Sequence, residues 1–115
     1  EKSLYSLIES TAEKYNLNYS ITEDTNSHPK YCAGWIKDIM ADELAAMGLQ
    51  PFELMSGPFH DSLIMADCCP YGMIFVRCKD GISHHPKELA SMEDIAIGTE
   101  LLYRTVLKIA TKNEI

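Results

Sequence analysis

The chain has 115 residues, enough for one small domain with one modest core. Hydrophobic residues make up 46% and charged residues 23%, both ordinary for a soluble globular protein. The net charge of −7 disfavours nucleic acid and anionic membrane as partners, because no basic face is available to displace counterions from phosphates. No apolar run approaches the roughly 20 residues of a membrane-spanning helix, and no signal peptide opens the chain. The first residue is Glu1 and not Met, which fits a start trimmed from something longer. The four cysteines, Cys32, Cys68, Cys69 and Cys78, form no C-x-x-C pair. Reduced thiols and a cytoplasmic location are the expectation.

Residues 1–15 read as an amphipathic helix, with Leu4, Leu7, Ile8, Ala12 and Tyr15 on one stripe. Asn16 offers its stop. Residues 17–23 alternate apolar and polar, the pattern of a half-exposed strand. The turn-rich stretch Glu23–Pro29 reads as a linker, and His28 within it as a solvated loop residue. Residues 33–47 form a second helix on the stripe Ile36, Ile39, Met40, Leu44 and Met47, ended by Gly48. A short strand is expected near Phe52 to Met55.

Ser56-Gly57-Pro58 breaks the backbone, and a short helix starting near His60-Asp61 should carry Leu63, Ile64 and Met65 inward. Tyr71 to Val76 is a continuous apolar run of β-formers, the pattern of a strand buried on both faces. A loop from Arg77 to Ala90 leads to the last helix near Ser91, where Ser91 and Asp94 resemble a capping box. Ile95, Gly98, Leu102, Val106 and Ile109 supply the expected buried stripe. From residue 33 onward the alternation predicts an α/β fold with a mostly parallel sheet.

In open α/β sheets, ligands sit beyond the carboxyl ends of strands. Two loops occupy such places, Ser56 to Asp61 and Cys78 to Pro86, and each carries histidine. Imidazole in its neutral form is a good ligand for zinc or manganese, although a hydrogen-bonded loop histidine is the plainer role. Asp61 follows His60 directly; it suits either a helix N-cap or a partner that orients an imidazole. Ser83 has no adjacent acid–base pair that would make it a nucleophile. Asp67, Cys68 and Cys69 match no metal-site spacing, and Glu88, Glu93 and Asp94 read as solvated surface. A hydrolytic metal centre needs about three protein ligands, and the chain has no H-x-D, H-E-x-x-H or Glu-Glu element.

The successive motifs Ser56-Gly57-Pro58-Phe59-His60-Asp61, Tyr71-Gly72-Met73-Ile74-Phe75-Val76 and Gly81-Ile82-Ser83-His84-His85-Pro86, followed by Asp94 to Leu102, resemble the C-terminal end of the hydantoinase/carbamoylase amidohydrolases. These are relatives of aminoacylase-type metallopeptidases and include N-carbamoyl-amino-acid hydrolases and allantoate amidohydrolase. The similarity covers residues 31–110 in order, and residues 1–30 more loosely.

The resemblance implies a three-layer catalytic domain whose C-terminal segment is residues 26–115. It also implies that residues 1–25 are the last helix and strand of a smaller α+β lid or dimerisation domain. His84 matches a ligand of a two-metal site holding zinc or manganese, and His60 matches a histidine that contacts substrate. Asp61 and Ser83 are read from the residues themselves as either imidazole-supporting or capping groups. The implied reaction is metal-assisted hydrolysis of a non-peptide C–N bond in a small N-carbamoyl amino acid or ureido acid, with a glutamate base upstream of this chain. A homodimer is implied for the whole enzyme, with little activity in this part alone. One departure is local: Pro58 and Phe59 stand where the family has small residues, and Phe59 falls where a glycine backbone approaches substrate. A non-catalytic binding or dimerisation module that kept the fold, or a small stand-alone ligand-binding protein, is the competing reading.

Overall fold

In a computed structural model, residues 2–112 are described; Glu1 and residues 113–115, which the expected first helix and final segment include, lie outside that range. The elements are α1 (Lys2–Tyr15), α2 (Gly34–Ala46), α3 (Ser62–Met65) and α4 (Met92–Thr111), with a single 3-10 turn at Lys79–Gly81 between the last two. None of these helices is long and apolar enough to cross a membrane.

Local chemistry explains where the helices stop and start. Asn16 takes a left-handed φ of 52° at the end of α1 and lets Leu17 N–H reach back to Ala12 C=O at 2.9 Å. Asparagine tolerates that conformation better than most residues. Gly48, at φ 76°, ends α2 in a complete Schellman motif: its N–H bonds Ala45 C=O, and Leu49 N–H bonds Leu44 C=O. Ser91 caps α4 by accepting from Asp94 N–H at 3.0 Å, and its hydroxyl donates to Asp94 Oδ2 at 2.6 Å. α2 lacks a side-chain cap, but Ala33 just ahead of it donates its N–H to Tyr71 C=O at 2.8 Å.

α2 and α4 pack on each other, the one helix–helix contact among the described residues. Ile36 and Glu43 of α2 and Leu101 and Thr105 of α4 are the buried members. Glu43 is shielded at that contact and lies 3.8 Å from Arg104 Nη1 and 3.7 Å from Lys108 Nζ of α4. Arg104 is held in turn by Glu100 at 2.6 Å, one helical turn back. The run Tyr71–Val76 crosses this pair. A Cβ at Gly72 would stand 2.6 Å from Ile36 Cγ2 and 2.5 Å from Met40 Cε, and one at Gly98 would stand 2.8 Å from Val76 Cγ2. The absence of both Cβ atoms is what allows the run to lie down on the helices.

The expected α/β architecture is not what forms. Among the described residues there is no strand and no sheet, so the three-layer arrangement with a parallel sheet and the lid strand are both overturned. Residues 17–23, Phe52 to Met55 and Tyr71 to Val76 have strand-like sequences but no neighbouring strand. A strand is stable only when its backbone N–H and C=O groups pair laterally. Here the run from residue 71 bonds to the start of α2 at one end, and Lys79 N–H bonds Leu89 C=O at the other.

The buried faces differ from expectation as well. Ala12, Ile36 and Leu101 are the buried hydrophobic side chains among the described residues, and Leu4, Leu7 and Tyr15 of α1 are exposed. α3 does not carry its residues inward: Ile64 is 69% exposed and Met65 49%. On α4 the buried stripe runs through Leu101 and Thr105, while the expected Leu102 and Val106 are more than half exposed. α4 is apolar around much of its girth, with Tyr103 and Leu107 also present, so two neighbouring stripes compete for the same contact. The radius of gyration, 20.1 Å, exceeds the roughly 13 Å of a compact chain this long. All four cysteines are free.

Two substitutions test the α2–α4 contact. Gly72→Ala drives a methyl into Ile36 Cγ2, a branched atom that a helix holds in one rotamer; it should lower stability by about 1–3 kcal/mol. An unchanged urea midpoint in the helical circular dichroism signal would refute the close approach. Thr105 Oγ1 is buried without a hydrogen-bond partner. Thr105→Val removes that unsatisfied hydroxyl and should raise stability by about 1 kcal/mol. A lowered midpoint would show that the hydroxyl is satisfied in solution.

Candidate functional site

The first histidine loop leads into α3. Ser56 and His60 are half-buried there, and Ser56 Oγ lies 2.6 Å from His60 Nε2. The Ser56 hydroxyl also lies 3.4 Å from Pro58 C=O. His60 C=O accepts from Leu63 N–H at 2.9 Å, which ties the residue to the first turn of α3. Asp61 stands at the N-cap position in a helical conformation, and its side chain makes no capping bond. Phe59, the residue before His60 in sequence, is 64% exposed.

The second histidine loop is closed at its base by the bond from Lys79 N–H to Leu89 C=O at 2.7 Å. Within it, Asp80, Gly81 and His84 have φ values of 56°, 67° and 58°. A histidine in the left-handed region is uncommon and is held by its surroundings. Two contacts hold it here. Ser83 Oγ lies 2.8 Å from His84 Nδ1, and His84 N–H donates to Glu88 Oε2 at 3.3 Å. His85 is turned to a different task, its Nδ1 accepting from Lys87 N–H at 3.1 Å.

These contacts bear on whether the residues fit a metal. An imidazole ligates through one nitrogen, while the other is normally engaged by a second group. Ser83 engages Nδ1 of His84 and leaves Nε2 to ligate, provided Nδ1–H donates to Ser83 Oγ. His84 is exposed, so Nε2 is approachable. One imidazole is not a metal centre, however. Among the described residues no three His, Cys, Asp or Glu side chains converge to hold a metal ion, and no hydrogen bond or ion pair joins the two histidine loops. A surface groove lined by Lys30, Tyr31, Asp67, Cys68, Cys69 and Tyr71 contains neither His60 nor His84.

Sequence reasoning passed over two partners. Glu88, read there as solvated surface, accepts the backbone N–H that supports the left-handed turn at His84. Ser56, read as part of a chain break, is the nearest polar partner of His60. The four-residue spacing from Ser56 to His60 across the Gly57-Pro58 break was the available signal, since such a break can fold a loop back on itself.

Comparison with known proteins places the chain. The sequence pattern described as Peptidase family M20/M25/M40 matches residues 5–108. The chain is 38% identical over 102 residues to N-carbamoyl-L-amino acid amidohydrolase of Geobacillus stearothermophilus, covering 89% of this chain and 25% of that protein. It is 34% identical over 92 residues to N-carbamoyl-L-amino-acid amidohydrolase of Pseudomonas sp. (strain NS671), covering 80% of this chain and 22% of that protein. With ureidoglycolate hydrolase of Arabidopsis thaliana it shares 41% identity over 71 residues, 62% of this chain and 15% of that protein. It therefore spans a quarter or less of the length of these relatives. With the family pattern running through nearly all of its residues, both histidine loops included, the chain belongs to peptidase family M20/M25/M40.

Proposed function

We propose that this chain is the C-terminal part of a metal-dependent amidohydrolase that cleaves a non-peptide C–N bond in a small N-carbamoyl amino acid or ureido acid. The observation that carries the proposal is His84, which is fixed in a left-handed turn with Nδ1 engaged by Ser83 and Nε2 left over. The relatives' activities on carbamoyl and ureido compounds support the choice of substrate class.

In this reading His84 supplies one ligand to a pair of zinc or manganese ions, and the other ligands and the general base come from parts of the enzyme that this chain does not contain. A metal pair held there would supply an activated water and polarise the scissile carbonyl. Ser83 and Glu88 hold His84 in place, one through the ring and one through the backbone. His60 contacts the substrate beside the metals, with Phe59 covering one side and limiting the size of group that fits there. Asp61, one residue on, adds negative charge beside that imidazole.

The same proposal assigns residues 1–25 to a dimerisation lid and residues 26–115 to the catalytic part of a cytoplasmic homodimer. The exposed apolar residues of α1, Leu4, Leu7 and Tyr15, support a covered role for that helix.

Two variants of the full-length enzyme, assayed on N-carbamoyl amino acids and allantoate, separate the histidines. His84→Ala should reduce bound metal and lower turnover by at least about a hundredfold, the scale of losing a ligand or its support. Full activity and full metal content in that variant would remove His84 from the metal site. His60→Ala should lower kcat/KM by about 10²-fold with metal content unchanged. Loss of metal in that variant would instead make His60 a ligand.

A further inference from the structure

The contact between Ser56 and His60 decides more than the position of a ring. A serine hydroxyl carries a single proton and can donate only one strong hydrogen bond. Two groups stand within reach of Ser56 Oγ: His60 Nε2 at 2.6 Å and Pro58 C=O at 3.4 Å. The carbonyl oxygen can only accept. If the hydroxyl proton went to Nε2, the lone pairs of Oγ would be left against the carbonyl oxygen, and neither would have a proton between them. If it goes to the carbonyl, Oγ is an acceptor, and the ring satisfies it by donating Nε2–H. Only the second arrangement gives every close polar pair a proton.

We infer that Ser56 is a positioning residue that holds His60 as its Nε2–H tautomer, so that Nδ1 is an unprotonated acceptor for an N–H group of the substrate. Which nitrogen of a neutral imidazole carries the proton is set by the bond the other nitrogen makes. Ser56 and His60 are both half-buried, which sets their contact apart from the exposed bonds of the second loop. Among the described residues no side chain engages Nδ1 of His60. A ring that offers an acceptor selects a donor. A urea-type nitrogen, as in a carbamoyl or ureido group, presents one. A carboxylate, with only acceptor oxygens, does not match a neutral ring in this state. The pairing also accounts for the break at Gly57-Pro58, which returns the Pro58 carbonyl to the serine that precedes it.

The substrate half of this inference rests on the proposed role of His60, and the tautomer half does not. The test therefore has two parts. Long-range 1H–15N correlation spectra of the histidine rings distinguish the two tautomers directly. In the unaltered chain His60 should show the Nε2–H pattern. Ser56→Ala should give mixed tautomers, and Ser56→Thr, which keeps the hydroxyl, should restore the original pattern. An Nδ1–H pattern in the unaltered chain, or a pattern that Ser56→Ala leaves untouched, overturns the assignment.

In the parent enzyme acting on an N-carbamoyl amino acid, Ser56→Ala should lower kcat/KM roughly tenfold, the scale of one well-placed hydrogen bond. Metal content should stay unchanged, and Ser56→Thr should recover most of the loss. Unchanged kcat/KM in Ser56→Ala overturns the positioning role. If the unaltered parent hydrolyses no carbamoyl or ureido acid, the proposed reaction fails and takes the substrate half with it. The ring spectra still decide the role of Ser56.

Discussion

The packing of α2 on α4 is the constraint on which the rest of the structure depends. Ile36, Leu101 and Thr105 are buried on these two helices, and so is Glu43, whose carboxylate faces Arg104 and Lys108 of α4. A carboxylate taken out of water is costly unless cations replace the lost solvation. Arg104 and Lys108 supply them from the facing helix, and Glu100 keeps Arg104 oriented. The pairs are loose and partly exposed, so their value lies more in register than in energy. Glu43 can meet both cations only when α4 is in one rotational setting. That setting also brings Gly98 under Val76.

The run that leads to the His84 loop is hung from this pair. The Tyr71–Val76 run is fixed at its start by the bond to Ala33 and by Gly72 lying on Ile36, and at its end by Val76 lying on Gly98. The His84 loop follows within two residues. Its base is then closed by Lys79 and Leu89, just ahead of the Ser91 cap of α4. The His60 loop is flanked by two exposed ion pairs, Lys37 of α2 with Glu53 at 2.9 Å ahead of it and Lys30 with Asp67 after α3. Within the loop the contacts are local, Ser56 with His60 and His60 with Leu63. The two loops thus have different supports: one follows a run laid on the helix pair, the other is tethered by surface charges and closed by its own bonds.

Away from α2 and α4 the chain buries little. α1 touches no other described helix, and large apolar residues from Tyr31 to Leu107 remain accessible. Burial contributes roughly 25 cal/mol per Å² of apolar surface. A chain that leaves so much uncovered holds its segments by local bonds and one helix pair. Local opening should be easiest where those bonds are fewest. Such surface in a chain spanning a quarter or less of its relatives' length accords with the proposal that it operates within a larger enzyme.

The helices, their stops and the two histidine loops were legible in the sequence because each rests on interactions within four or five residues. Asn16, Gly48 and the Ser91–Asp94 cap act through neighbouring backbone groups, and the motif around His84 is a turn whose bonds close within itself. The family was legible for the same reason, since its motifs are contiguous. The sheet was misread because a strand-like pattern records only a local preference, whereas a sheet requires a lateral partner that no nearby residue can guarantee. The buried stripe of α4 was misread because its apolar residues wrap too far round the helix for periodicity to choose a face; Glu43, Gly98 and Val76 chose it. Ser56 became a partner of His60 only once the Gly57-Pro58 break had turned the chain back. The sequence by itself determined the helices, their stops and which residues stand on the two loops. Only the tertiary structure decided which faces meet, because that depends on groups brought together through space, whereas the nitrogens of His60, His84 and His85 are engaged by partners within four residues of each ring.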